Sequence, residues 1–124
     1  MITIDVKDRR PIYEQIVERV ERLIASGVLA AEEQLPSVRQ MALELAINPN
    51  TIQKAYAILE MKGFIYTVKG RGSFVSGDLT AVEKKKLLWR GKFISLLKEG
   101  QELGISEEEL LRVLRETVGG EKHD

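Results

Sequence analysis

The chain contains no cysteine, which excludes a disulfide framework, a thiolate metal site and a cysteine nucleophile. That absence suits a reducing compartment. Histidine occurs once, as His123 near the C-terminus. Neither a Ser–His or Cys–His constellation nor a helix bearing two histidine ligands can therefore be assembled. Proline is scarce, and Pro11, Pro36 and Pro49 each stand at or just before an expected helix start. Net charge is also lacking: 19 basic residues face 19 acidic ones, whereas a nucleic-acid-binding domain is usually basic. No apolar run approaches the ~18 residues of a membrane span, and the N-terminus lacks the basic-then-apolar layout of a signal peptide. A soluble, cytoplasmic protein without a membrane partner, metal or cofactor is the expectation.

What is present suffices for a core, with 44% hydrophobic residues in 124. That length fits one compact domain or a small domain with an appendage. There is no internal repeat and no low-complexity run. "MITIDV" alternates apolar and polar, as a short leading strand would. "PIYEQIVERVERLIASG" reads as a helix with Pro11 in its first turn. Its apolar stripe is Ile12, Ile16, Val20, Leu23 and Ile24, and Gly27 is a natural stop. After the connector "VLAAEEQLP", Ser37 and Gln40 form a capping-box pattern, with Val38, Met41, Ala42 and Leu45 at helical spacing. That helix ends within "ELAI", and Asn48 and Pro49 at once open a third. Ile52, Ala55, Tyr56 and Leu59 form its buried stripe, and Gly63 ends it.

Two short helices joined by a few residues make a helix-turn-helix. "FIYTV" and "SFV" then pair around "KGRG", which makes a winged helix. Beyond Asp78 comes a longer helix, with Thr80 as its cap and Val82, Trp89, Phe93 and Leu96 on one face. Gly91 is costly in such a helix, by ~1 kcal/mol against alanine, unless another helix packs closely there. A last helix begins at Ser106 with Glu109 as a second capping box, lined by Leu110, Leu111, Leu114 and Val118. "GGEKHD" reads as a frayed tail. The expected fold is mainly α with a small β-hairpin: a winged helix-turn-helix domain over residues 1–77, then a two-helix dimerisation region over residues 78–124. Two amphipathic helices are too few for a core of their own. They need the first domain or a second copy, and the interface set is Val82, Trp89, Phe93, Leu96, Leu110 and Leu114.

The zero net charge hides an uneven distribution. Between Pro36 and Val75 stand five basic residues (Arg39, Lys54, Lys62, Lys69, Arg71) and two acidic ones (Glu44, Glu60), a local charge of 5 − 2 = +3. A neutral protein can thus present a basic face. If the apolar stripe of the third helix faces inward, Asn50, Gln53, Lys54 and Ala57 face outward near its N-terminal end. That is where a recognition helix meets base edges. Asn and Gln can pair with adenine, and Lys with guanine or phosphate. Thr51 can offer a hydroxyl to phosphate, and Arg39 can anchor a phosphate or a guanine. Taken alone, these side chains are read more simply as a solvated polar face. In "VKGRGSFV", Gly70 and Gly72 permit a tight turn with positive φ. Arg71 then projects from a slim tip, and a narrow minor groove attracts such a side chain.

Enzymatic alternatives have little to stand on. "GRG" is too short to cradle a phosphate and no helix follows it. Glu107, Glu108 and Glu109 occupy a first helical turn, where they complement the dipole. "EKKKLLWRGK" would suit a basic membrane-surface helix or added DNA contacts, but a solvated face on a packed helix explains it more simply.

In order along the chain, "PIYEQI", "LPSVRQMA", "NPNTIQKAY" and "GRGSFV" closely resemble the DNA-binding domain of the GntR family of bacterial transcription regulators, over about residues 8–76. The resemblance implies DNA contacts from Arg39, from Asn50, Thr51 and Gln53, and from Lys69, Gly70 and Arg71. With Ser37, Asn48, Lys54 and Gly72 these complete the expected DNA-binding set. Many members carry arginines where this chain has Pro49 and Asn50, so their base preference does not transfer. The short C-terminal region resembles the YtrA type, which implies dimerisation through those helices and repression near ABC-transporter genes. The expected function is a homodimeric repressor of a near-palindromic operator in double-stranded DNA. The alternative is a winged-helix adaptor that binds protein. A small-molecule effector seated at the dimer interface between Trp89 and Phe93 is compatible with repression.

Overall fold

In the computed structural model, which describes residues 2–120, the order is α1 (Ile12–Ala25), α2 (Val38–Leu45), α3 (Pro49–Met61), β1 (Ile65–Val68), β2 (Gly72–Val75), α4 (Thr80–Glu102) and α5 (Glu107–Gly119). The strands form one antiparallel hairpin, with Ile65 opposite Val75 and Val68 opposite Gly72. The chain divides into two compact units, residues 1–85 and 86–124. The division falls inside α4 rather than at residue 77, because the start of α4 packs with the first unit.

That packing begins with local signals. Ser37 Oγ accepts the Gln40 N–H at 3.0 Å and caps α2. Asn48 Oδ1 accepts the Asn50 N–H at 2.8 Å and caps α3, with Pro49 in its first turn. Between them the chain reverses at Ala46, which takes a left-handed φ of 55°. The Ile47 N–H closes the end of α2 on the Ala42 carbonyl at 3.0 Å, a Schellman-type ending that keeps the helix-to-helix turn short. Ile16 and Val20 of α1, Met41 and Ala42 of α2, and Ile52, Ala55, Tyr56 and Leu59 of α3 meet in one core with Phe64, Ile65 and Val75. The Tyr56 hydroxyl donates to the Pro36 carbonyl at 2.7 Å. Burial, with a smaller contribution from Glu44, pushes that phenol well above its ordinary range.

Four expectations need correction. "MITIDV" forms no strand: residues 2–5 are irregular, and the Asp5 N–H donates to Gln15 Oε1 at 3.0 Å instead of to a strand partner. Thr80 is capped rather than capping, because Asp78 Oδ1 accepts its N–H at 2.9 Å and its hydroxyl at 2.6 Å. Those bonds, the side-chain one first, hold the Asp78 carboxyl below its usual range. Val82 is not on a free face: it is buried in the first unit's core and leaves the interface set. Of "GGEKHD", Gly119 still belongs to α5; residues 121–124, His123 among them, lie outside the described residues.

One buried charge ties three helices of this unit together. Glu21 on α1 is 3% exposed. Its carboxylate pairs with Lys62 at the end of α3 and with Lys85 in α4, the latter at 3.0 Å. A carboxylate so removed from water is stable only when paired. Nearby, Gly63 takes a φ of +88°, and a Cβ there would stand 3.7 Å from that of Ala81.

In the second unit, Gly104 (φ +80°) turns the chain between α4 and α5, and Ser106 Oγ accepts the Glu109 N–H at 3.2 Å. Gly100 is buried beneath Leu110 and Ile105. Otherwise the unit is open. No residue of α5 is buried, and Trp89, Leu96 and Leu114 are 64%, 63% and 48% exposed. Among the described residues nothing stands within 4 Å of a Cβ at Gly91, so none of them makes the close approach that would account for this glycine.

Candidate nucleic-acid interface

The helix α3 separates its two faces as the spacing requires. Ile52, Ala55, Tyr56 and Leu59 are buried, whereas Asn50, Gln53, Lys54 and Ala57 are exposed and Thr51 is half-buried. Asn48 accepts at both ends of its cap, its Oδ1 from Asn50 and its carbonyl from the Thr51 N–H at 3.0 Å. What this helix start can offer a partner is therefore side chains: the Asn50 and Gln53 amides, the Thr51 hydroxyl and the free amide nitrogen of Asn48. Lys54 is less free than its exposure suggests, because its ammonium sits 4.0 Å above the centre of the Tyr13 ring. That cation–π contact steers the charge toward α1. Ser37 is occupied as the α2 cap, and Arg39, two residues on, is exposed with no ion pair among the described residues.

The wing tip is a three-residue loop, Lys69-Gly70-Arg71, between the paired Val68 and Gly72. The Arg71 N–H donates to the Val68 carbonyl at 2.9 Å. Gly70 has a φ of +80°, as the second central position of a type II turn requires. The two glycines differ in what surrounds them. A Cβ at Gly70 would meet nothing within 4 Å, whereas one at Gly72 (φ +114°) would stand 2.9 Å from Gln34 Nε2. Thus Gly70 leaves open space at the tip, while Gly72 makes room for a neighbouring side chain.

Below the tip the hairpin is broader than the sequence suggests. The segment read as a connector runs beside β2: Glu32 N–H donates to Val75 O, Leu35 N–H to Ser73 O and Val75 N–H to Glu33 O, each at 2.9 Å. Gln34 stands opposite Phe74 as an isolated bridge. Phe74 stacks on Tyr66 at 5.6 Å between ring centres. The Tyr66 hydroxyl donates to Glu32, which raises its pKa. "EEQLP" has no alternation and few β-formers, so this pairing beside β2 has no sign in the sequence.

On the second unit, Trp89 and Phe93 stack one turn apart at 5.3 Å between ring centres, with 12° between ring planes. Each ring covers one face of the other within the chain. Leu96, Leu111 and Leu114 add exposed apolar surface. No helix among the described residues is long and apolar enough to cross a membrane.

The model of the family described as "Bacterial regulatory proteins, gntR family" matches residues 12–75, from α1 through the wing. The HTH-type transcriptional repressor YtrA of Bacillus subtilis is 36% identical over 130 aligned positions, covering 100% of both chains. A GntR family transcriptional regulator from Listeria monocytogenes superimposes with a TM-score of 0.75 at 35% identity, covering 91% of this chain and 98% of that one. AraR(DBD), solved in complex with operator ORE1, superimposes with a TM-score of 0.53 at 25% identity, covering 61% and 93%.

Proposed function

The chain belongs to the gntR family of bacterial regulatory proteins and is a DNA-binding transcription regulator, and from that premise we propose that it is a cytoplasmic repressor that binds a near-palindromic operator as a homodimer. The observation that carries the reading is the outward face of α3. Asn50, Gln53 and Lys54 are exposed there, over a stripe of four buried residues, directly after a short turn from α2. The start of α3 enters the major groove and presents Asn50 and Gln53 to base edges. Arg39 and Thr51, with Ser37 and Asn48 beside them, set register on the phosphates. Lys69 and Arg71 reach the adjacent minor groove from the wing, with Gly70 and Gly72 keeping the tip slim. Lys54 must leave the Tyr13 ring to join them.

The second unit supplies the dimer contact. Trp89, Phe93, Leu96, Leu110 and Leu114 lie on two helices whose apolar side chains one chain does not cover. Gly91, without a neighbour of its own, marks where a partner helix comes near. A two-fold dimer then holds two winged helices about one DNA turn apart, ~34 Å or a multiple of it.

The test is fluorescence anisotropy with the duplex upstream of the protein's own gene against a scrambled duplex, at two salt concentrations. Binding that is tight, sequence-dependent and weakened by salt supports the reading. Equal, weak binding to both duplexes counts against it. In the same assay Arg71→Ala should lower affinity by about tenfold and reduce the slope of log K against log salt by about 1. An unchanged slope and affinity would remove the wing from the interface.

A further inference from the structure

Gln34 lies outside every DNA contact assigned above, yet its side chain touches the residue on which the wing depends. Gln34 Nε2 donates to the Arg71 carbonyl at 2.8 Å, across 37 positions of sequence. The Arg71 N–H is held from the other side by Val68 O at 2.9 Å. Both backbone polar groups of Arg71 are thus engaged, and only its side chain is left to a partner. A three-residue tip in which Gly70 and Gly72 flank Arg71 would otherwise sample many conformations, because glycine restricts φ so little. Gln34 is itself fixed. It is flanked by the two hydrogen bonds that pair Leu35 with Ser73 and Glu33 with Val75, and it faces Phe74 across the bridge. Gly72 completes the arrangement, since a Cβ there would stand 2.9 Å from Gln34 Nε2. The positive φ of Gly72 and the space for the Gln34 amide are two requirements met by one glycine.

We propose that Gln34 is a positioning residue for DNA binding: its amide tethers the wing tip so that the Arg71 side chain is pre-aimed before DNA arrives. The proposal rests on the reading that Arg71 reaches the minor groove. Its physical basis is preorganisation, in which ordering done in the free protein is not charged against the complex. Gln34→Met is the informative variant, since it keeps length and bulk while removing the donor. In the free protein, the heteronuclear NOE of the Arg71 and Gly72 amides should fall. The amides of Tyr66 and Phe74 should keep their wild-type values, and the thermal midpoint should stay unchanged. Operator affinity should fall about fivefold, the worth of one typical hydrogen bond. In an Arg71→Ala background the same substitution should change affinity less than twofold, because there is no longer a side chain to aim.

Equal losses in both backgrounds would overturn the proposal, since Gln34 would then contact DNA on its own account. Unchanged amide NOE values would overturn it as well, since the tip would hold its shape without the tether. If Arg71→Ala alone binds as tightly as wild type, the wing reading fails and the binding role of Gln34 fails with it. The NOE of the free protein still reports separately whether the tether exists.

Discussion

Leu96→Glu should convert the proposed dimer to a monomer and cost on the order of 100-fold or more in affinity for a full operator. Leu96 is 63% exposed on α4, so in one chain a glutamate there meets water and costs little. In a two-fold dimer the same position is met twice, and each copy would bury a carboxylate with no partner. The penalty for an unpaired buried charge is several kcal/mol, and symmetry doubles it. Two winged helices on one dimer bind as a linked pair, so the second half-site is engaged at high effective concentration. Loss of the dimer removes that advantage and leaves each half-site contact unchanged. Sedimentation equilibrium reads the oligomeric state, and anisotropy on full and half operators reads the linkage. A variant that remains dimeric would place the interface elsewhere. A variant that is monomeric yet binds the full operator like wild type would mean that dimerisation does not serve DNA binding.

The first unit was largely legible from sequence because its signals are local. Ser37 and Asn48 cap helices through bonds to residues two or three positions away, as Ser106 does in the second unit, and the α3 stripe repeats at helical spacing. Gly70 and Gly72 announced a turn because positive φ has few other hosts. The expectations that failed depend on partners far along the chain. Whether "MITIDV" becomes a strand depends on a neighbour to pair with, and alternation alone does not supply one. Val82 shares a periodic face with Trp89, yet it is buried in the first unit's core; periodicity assigns a face but not the surface it meets. The strand-like run of Glu32 to Leu35 and the reach of Gln34 to Arg71 are contacts of long sequence separation, and no pattern within "EEQLP" encodes them. Nothing in the α1 sequence marks Glu21 for burial, yet it is buried between Lys62 and Lys85. Two lysines from distant helices make that burial tolerable, and neither is near it in sequence.

Adjacent residues of α3 should give opposite results when replaced by alanine. Ile52 is fully buried, at 0% exposure, so Ile52→Ala leaves a cavity in the core of the first unit. It should destabilise by about 2–5 kcal/mol, a large share of the roughly 5–15 kcal/mol that holds a small domain folded. Urea denaturation should show the midpoint falling with little change in slope. Gln53 is exposed, and alanine is the better helix former, so Gln53→Ala should leave stability within about 0.5 kcal/mol of wild type. Its loss should appear on DNA instead, as about 1–3 kcal/mol of discrimination at one base position. The pair therefore tests the rotation of α3 about its own axis, on which the whole interface rests. Should Gln53→Ala bind and discriminate as wild type does while Ile52→Ala unfolds, the helix is oriented as described but reads DNA through Asn50 or Lys54. Should Gln53→Ala unfold the protein, the face assigned to DNA is a packing face, and the contact with bases lies on another element.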